Sequence, residues 1–425
     1  MPFMEYIVIN GQKRLQGNVT ISGAKNAAVA IIPAAIAANG VCVIDNVPYI
    51  EDVINLTKAL ESLGAVCEFK DNNHTLVIDT TSVTSYELDE KLTKSTRASY
   101  YFMGALLARF GKVVIPMPGG CEIGARPVGY HMKGFEALGA TSSLEHGIVT
   151  LEAKDGLQGA NIYLDSPSVG ATINIMIAAV FAKGVTQIEN SAKEPHVVDT
   201  ASFLNKLGAK ISGAGTATIR ISGVDSLGGG EYTVIPDAIE AGTYMIAAAI
   251  TCGDVTVENI IPKHMDSLTS KLREIGAEIE EGVDSIRVKV DGQLKGCEVK
   301  TAVYPGFPTD LQSQMATLLC TASSFSTVTE NIFENRYRYV GELRRLGAIT
   351  KIDSRSLLIE GNHRLTGAKV EASDLRAGAA LVIAGLAAEG KTMIGGVEHI
   401  DRGYEDIEQK LRGLGADIKR VVEED

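Results

Sequence analysis

Leu63-Gly64-Ala65, Leu138-Gly139-Ala140, Leu207-Gly208-Ala209, Ile275-Gly276-Ala277, Leu346-Gly347-Ala348 and Leu414-Gly415-Ala416 are one short string written six times, its glycines about 70 residues apart. A tripeptide of common residues carries little alone; six copies at even spacing mark an internal repeat. Each copy closes an amphipathic stretch. In Leu268-Thr269-Ser270-Lys271-Leu272-Arg273-Glu274-Ile275 the apolar residues fall at i, i+4 and i+7, the spacing of a helix with one buried face. The glycine stands just past the last periodic residue, where a helix commonly ends in a residue of positive φ. Alternating runs follow, such as Ser285-Ile286-Arg287-Val288-Lys289-Val290, and predict half-exposed strands.

A second element also recurs six times, beginning near Ala24, Arg97, Val169, Ala238, Asp310 and Leu375. Its copies are apolar or small all round, as over residues 172–180 and 379–388. A helix without a polar face must be buried on every side. Each copy precedes a short strand, and four of those strands end in Asn: Asn46, Asn190, Asn259 and Asn331. The repeating unit is therefore buried helix, strand, amphipathic helix, strands. Six units predict an α/β architecture of two domains, three units each, with helices inside and sheets outside. The glycine run Gly228-Gly229-Gly230 is the natural joint, giving an N-terminal repeat domain over 22–230 and a C-terminal one over 231–425.

Composition fits this reading and narrows the function. A chain of 425 residues is too long for one ordinary core. With a formal net charge of −12, few aromatics and no Trp, it offers neither the basic surface nor the stacking platforms of a nucleic-acid binder. No apolar run reaches the ~18 residues of a membrane span, and no signal peptide opens the chain. Cys42, Cys67, Cys121, Cys252, Cys297 and Cys320 are widely spaced with no Cys-x-x-Cys, against zinc and against a disulfide framework. The expectation is a reduced cytoplasmic protein that engages neither nucleic acid nor membrane.

The starts of the buried helices carry the chemistry. Lys25 opens the first, Arg97 the second, and Arg376 lies in the first turn of the sixth. A cation is unfavourable at the positive end of a helix dipole. One such placement is met by letting the side chain reach solvent; three together favour a bound anion held by the cations and free backbone N–H groups. Asp237, Asp310 and Asp374 occupy the other starts, where capping is the ordinary role. If the helices of a domain run parallel, their N-termini meet at one end of it. Elsewhere, Pro118-Gly119-Gly120-Cys121-Glu122-Ile123-Gly124-Ala125-Arg126-Pro127 has no hydrophobic period and reads as a loop. Cys121 has Arg126 nearby, and a cation favours the reactive thiolate. The other five Cys sit in apolar or strand-like runs and read as core or inert.

Seven strings carry a resemblance along essentially the whole chain: 22–28 (Ser-Gly-Ala-Lys-Asn-Ala-Ala), the Cys121 loop, 168–172 (Ser-Val-Gly-Ala-Thr), 307–310 (Phe-Pro-Thr-Asp), 333–336 (Phe-Glu-Asn-Arg), 374–376 (Asp-Leu-Arg) and 401–405 (Asp-Arg-Gly-Tyr-Glu). In this order they resemble the enolpyruvyl transferases, and among them the branch whose acceptor is UDP-N-acetylglucosamine. The resemblance implies a two-domain inside-out α/β barrel with three repeats per domain, residues 1–21 joining the C-terminal domain. It implies transfer of the enolpyruvyl group of phosphoenolpyruvate to the 3-hydroxyl of UDP-N-acetylglucosamine, in peptidoglycan synthesis, with no metal or organic cofactor. The partners it implies are these two small molecules; it names no protein partner.

Site roles follow by the same resemblance. Lys25, Arg126 and Arg402 would hold phosphoenolpyruvate, with Arg97, Arg336 and Arg376 in the same anion network. Asn26 would contact the acceptor sugar, and Ile332 would join the substrate contacts. Arg126-Pro127-Val128 and Ser168-Val169-Gly170 would bind the uridine diphosphate, with His131 helping at the diphosphate. Asp310 would be the base toward the sugar hydroxyl. Cys121 would act as acid or in product release, and is the position that epoxides such as fosfomycin alkylate in this family. Asp374 and Lys25 are both candidates for moving the C3 proton. Three positions depart from the usual pattern: Ala238 in place of Arg, Gly129 in place of Asp, and His196 in place of an acidic residue. These departures leave room for a non-catalytic paralogue that binds the nucleotide sugar. The shikimate-pathway branch is the nearest rival enzyme, and Cys121 with the Ser-Val-Gly string argues against it.

Overall fold

The computed structural model describes residues 3–117 and 128–424. Among them the chain forms two compact units, residues 3–22 with 236–424, and residues 23–117 with 128–235. Each is built on the repeat. All six repeat glycines have positive φ, +104° at Gly64, +93° at Gly139, +112° at Gly208, +108° at Gly276, +94° at Gly347 and +95° at Gly415. A side chain there would be strained, so each amphipathic helix stops at its glycine and the chain turns out into strands.

The 23–235 unit centres on three buried helices that pack on one another, Lys25–Ala34, Tyr101–Phe110 and Val169–Ala179. The 236–424 unit does the same with Ala238–Ile250, Gln312–Leu319 and Leu375–Ala387. The helices expected to begin near Arg97 and Asp310 start a few residues later, because these polar residues sit in short 3-10 turns, Arg97–Tyr100 and Thr309–Leu311. Among the described residues three sheets lie around each set of helices, five of the six having four strands.

One sheet shows the scheme. Asn161–Tyr163 enters the helix Val169–Ala179, and Val185–Glu189 leaves it and pairs parallel to the first strand. The hairpin strands Lys210–Ser212 and Thr218–Ser222 complete the sheet antiparallel. The recurrent Asn residues tie this parallel pair together at its end. The Asn190 amide donates to Leu164 O at 2.8 Å, Asn46 to Val234 O at 2.8 Å, Asn259 to Ile21 O at 2.7 Å and Asn331 to Thr301 O at 3.0 Å. In each case the acceptor is the residue just after the incoming strand.

Two incoming strands are exchanged between repeats. Gln16–Thr20, which precedes the first buried helix, pairs with Asp254–Glu258. Gly230–Thr233, which precedes the fourth, pairs with Val41–Asp45, so the glycine run feeds a strand of the 23–235 unit. Among the described residues the chain passes from one unit to the other at 22–23 and 235–236. Phe3–Asn10 lies antiparallel between Lys391–Gly395 and Asp417–Glu424.

A buried carboxylate is hydrogen-bonded beside each of these passages. Tyr232 donates its hydroxyl to Asp199 Oδ1 at 2.5 Å, and Ile235 N–H reaches Oδ2 at 3.4 Å. Burial pushes the Asp199 carboxyl up to about 6 from 3.8, although these donors pull it down. The charged form is thus disfavoured in the fold. Below about pH 4 the group is protonated folded or unfolded and stability is undiminished; stability falls as pH rises toward 6, and above it the loss is full, about 3 kcal/mol. Asp199→Asn is therefore expected to add about 1–3 kcal/mol at pH 7.5 and nothing at pH 4. Urea unfolding at both values checks this, and an equal gain at pH 4 would exclude the charge as its source. On the other side, Lys410 Nζ bonds Glu240 Oε1 at 2.6 Å and Ser22 Oγ at 2.7 Å. Ser22 N–H donates to Glu240 Oε2 at 2.9 Å, and its hydroxyl donates to Glu405.

Candidate active site

In the 236–424 unit the starts of the three buried helices share one polar layer. Asp374 is the N-cap of Leu375–Ala387 and accepts from the N–H groups of Arg376 and Ala377, both at 3.0 Å. Asp237 caps Ala238–Ile250 in the same way, at 2.8 and 2.9 Å. Asp310 does something else. Its Oδ1 accepts from Arg336 Nη2 and its Oδ2 from Arg376 Nη2, each at 3.0 Å. Both arginines are buried, at 4% and 5% exposure, while the Asp310 side chain stays about a quarter exposed. A half-open carboxylate thus faces two desolvated guanidinium groups.

Polar side chains behind Arg376 fix its position. Its Nη1 donates to Tyr404 Oη at 3.3 Å, Tyr404 Oη lies 2.8 Å from Thr243 Oγ1, and Gln314 Nε2 donates to Asp310 O at 2.9 Å. Ser313 Oγ donates to Arg376 O at 3.0 Å, joining two helix starts. Burial works against the Arg376 charge, but Asp310, Tyr404 and Asp237 outweigh it and hold the group firmly protonated. Glu330 supports the Asp310 wall. This buried carboxylate accepts from the hydroxyls of Thr301 and Thr309, both at 2.9 Å, and from Ile332 N–H at 2.8 Å and Phe333 N–H at 3.1 Å. It fixes the segments that lead into Asp310 and Arg336. Arg402 is half-buried and ends the helix Val397–Asp401.

In the 23–235 unit Lys25 opens its helix and its Nζ lies 2.9 Å from buried Asp52 Oδ2, with Asn26 next to it. Arg97, His131 and the Ser168–Gly170 turn come together around Tyr100. Tyr100 packs edge-on against His131, ring centroids 5.1 Å apart. A Cβ on Gly170 would lie 2.9 Å from the Tyr100 hydroxyl, so any larger residue there would push the Tyr100 ring aside. Ser168 caps Val169–Ala179 through Ala171 N–H at 3.4 Å, and Val128 precedes Gly129–Ala137 as its N-cap residue. Burial, with Arg97 adding to it, pushes His131 down to about 4, so its ring is neutral at physiological pH.

Cys121, Arg126 and Pro127 lie outside the described residues. Burial raises the thiols of Cys42, Cys67, Cys297 and Cys320 to about 11 or 12, which leaves them unreactive. Cys252 departs from the expected pattern: it is exposed, at φ +48° past the end of its helix. Among the described residues no cluster of three His, Cys, Asp or Glu side chains is arranged to hold a metal, and no helix is long and apolar enough to cross a membrane. Asn174, Thr243, Gln314, Glu330 and Tyr404 went unassigned in the sequence. The usable signal for the first three is a polar side chain inside a helix buried on all sides, which must find a partner.

The family model described as EPSP synthase (3-phosphoshikimate 1-carboxyvinyltransferase) matches residues 9–411. The chain belongs to the enolpyruvyl transferase family. It is 55% identical over 420 residues to "UDP-N-acetylglucosamine 1-carboxyvinyltransferase 3" of Caldanaerobacter subterraneus subsp. tengcongensis, covering 99% of this chain and 100% of that one. It is equally identical to the UDP-N-acetylglucosamine 1-carboxyvinyltransferase of Clostridium botulinum, over 98% of this chain and 100% of that one. Among solved structures it resembles the enolpyruvyl transferase NikO of Streptomyces tendae, with TM-score 0.90, 27% identity and full coverage of both chains. An EPSP synthase of Acinetobacter baumannii shares the fold at TM-score 0.76 and 20% identity, over 98% of this chain and 100% of that one.

The three departures of this enolpyruvyl transferase are structurally tolerated. Ala238 is the first residue of a helix already capped by Asp237. His196 lies in the first turn of Pro195–Lys206, and its carbonyl accepts from the Thr200 hydroxyl at 2.8 Å. Gly129 begins its helix with open space where a Cβ would stand. Gly129→Asp is expected to stabilise by about 1 kcal/mol, by removing a helical glycine and placing an anion at the positive end of the dipole. Thermal unfolding checks it, and a lower melting temperature would mean the side chain meets an obstacle.

Proposed function

We propose that this enolpyruvyl transferase moves the enolpyruvyl group of phosphoenolpyruvate onto the 3-hydroxyl of UDP-N-acetylglucosamine, releasing phosphate, in the first committed step of peptidoglycan synthesis in the cytoplasm. The observation that carries the acceptor is identity of 53–55% over 98–99% of the chain to relatives named for that substrate.

The reaction is an addition followed by an elimination. The sugar oxygen bonds to C2 of the enol as its proton leaves and C3 gains one. The C2–O bond to phosphate then breaks, C3 gives up a proton and the double bond returns. Asp310 takes the hydroxyl proton. To do so it must be released from part of the hold of Arg336 and Arg376, and an anionic substrate supplies the replacement partner for them. Lys25, Arg126 and Arg402 hold phosphoenolpyruvate, and Asn26 and Ile332 contact the acceptor. Arg97, Arg336 and Arg376 belong to the same anion network, and Arg126, Pro127, Val128, His131, Ser168, Val169 and Gly170 hold the uridine diphosphate. Cys121 serves as acid or in product release, and Asp374 or Lys25 handles the C3 proton.

The test is inorganic phosphate release from phosphoenolpyruvate with either UDP-N-acetylglucosamine or shikimate 3-phosphate. Release with the sugar nucleotide alone is expected. Release with shikimate 3-phosphate alone would keep the donor and overturn the acceptor. Nucleotide binding without release would make the chain a non-catalytic paralogue.

A further inference from the structure

Asn174 is fully buried in the helix Val169–Ala179. Its Oδ1 accepts from Gly104 N–H at 2.8 Å. That partner is a backbone donor, so the atom facing it is oxygen and the orientation of the amide is fixed. Nδ2 therefore faces the other two partners, Tyr100 O at 2.8 Å and His131 Nδ1 at 3.0 Å. Its two hydrogens match these two acceptors. A donor pointing at Nδ1 leaves no place for a proton there, so the neutral ring carries its hydrogen on Nε2. An imidazolium would set two donors head to head, beside the positive charge of Arg97.

The edge contact with Tyr100 fixes the ring from a second side. Among the described residues Asn174 is its one hydrogen-bond partner. We propose that Asn174 is a positioning residue that locks His131 as the neutral Nε2–H tautomer, and that this N–H donates to a diphosphate oxygen of the nucleotide acceptor. The ligand half rests on the acceptor proposed above. Chemically, Arg97 supplies charge while His131 supplies direction, without the cost of burying two like charges side by side.

The experiment is nitrogen NMR of the full-length protein with 15N-labelled histidine, His131→Gln assigning the resonances among the seven histidines. Expected are an unprotonated Nδ1 and a protonated Nε2, unchanged from pH 5.5 to 8, with Nε2 shifting when UDP-N-acetylglucosamine binds. The opposite tautomer, or titration near 6.5, overturns the lock. In Asn174→Asp the carboxylate demands a proton on Nδ1, so an unaltered pattern removes Asn174 from the role; should that variant not fold, the parent spectrum still decides. By kinetics, His131→Phe is expected to raise KM for the sugar nucleotide about ten- to hundred-fold, leaving that for phosphoenolpyruvate unchanged. His131→Gln, which keeps a neutral N–H donor, restores most of it. A sample that releases phosphate normally yet shows an unmoved Nε2 overturns the donor role alone. Neither release nor nucleotide binding overturns the proposed function, and the ligand half with it.

Discussion

Asp310→Asn is expected to lower phosphate release at saturating substrates by about 100- to 10,000-fold, the range over which a positioned base contributes. The carboxamide keeps the shape of the side chain and loses both the basic oxygen and the negative charge. Its second effect comes from the geometry. Arg336 and Arg376 are both buried and both bonded to this carboxylate. With Asp310 neutral they face each other without it, so the variant is also expected to unfold at lower temperature and to regain stability as phosphoenolpyruvate is added. Turnover within tenfold of the parent would remove Asp310 from the chemistry. A melting temperature indifferent to phosphoenolpyruvate would remove the two arginines from its binding.

Lys410→Met is expected to cost about 3–5 kcal/mol, the usual loss when one member of a buried ion pair is removed. Glu240 is 3% exposed, and burial raises its carboxyl even against the pull of Lys410. Without that ammonium group the carboxylate keeps the Ser22 N–H and little else to offset its burial. Adding Glu240→Gln should recover part of the loss, because the uncompensated charge is then gone. Urea unfolding of the two variants decides it. A double variant no more stable than Lys410→Met would place the loss in packing.

What the sequence made legible was whatever the backbone demands locally. The Leu-Gly-Ala strings could be read because a helix that must stop and turn needs a residue of positive φ, and all six glycines have it. The four strand-ending Asn residues were visible as a pattern, but their shared hydrogen bond was not, since Asn46 reaches Val234 and Asn259 reaches Ile21. The helix-start aspartates looked alike in sequence. Asp237 and Asp374 are caps, whereas Asp310 turns its side chain to two arginines, one 26 and one 66 residues away. No local period encodes such a meeting. The same holds for Glu240 with Lys410, 170 residues apart. Asn174, Thr243 and Gln314 were hidden differently: each sits in a helix whose apolar neighbours dominate the pattern.

The strand order also has a consequence for synthesis on the ribosome. Phe3–Asn10 emerges early but lies between Lys391–Gly395 and Asp417–Glu424. About 380 residues separate it from the nearer partner, which at 5–20 residues per second is a wait of roughly 20–75 s. Meanwhile the contiguous stretch from Gly23 to Ile235 contains every strand of its own unit among the described residues and can fold as it emerges. Tyr6, Ile7, Val8 and Ile9, buried in the finished protein, stay without their final partners through that interval. The nascent chain thus carries an apolar strand with open edges until almost the last residue is made, and that segment is where a chaperone would be needed.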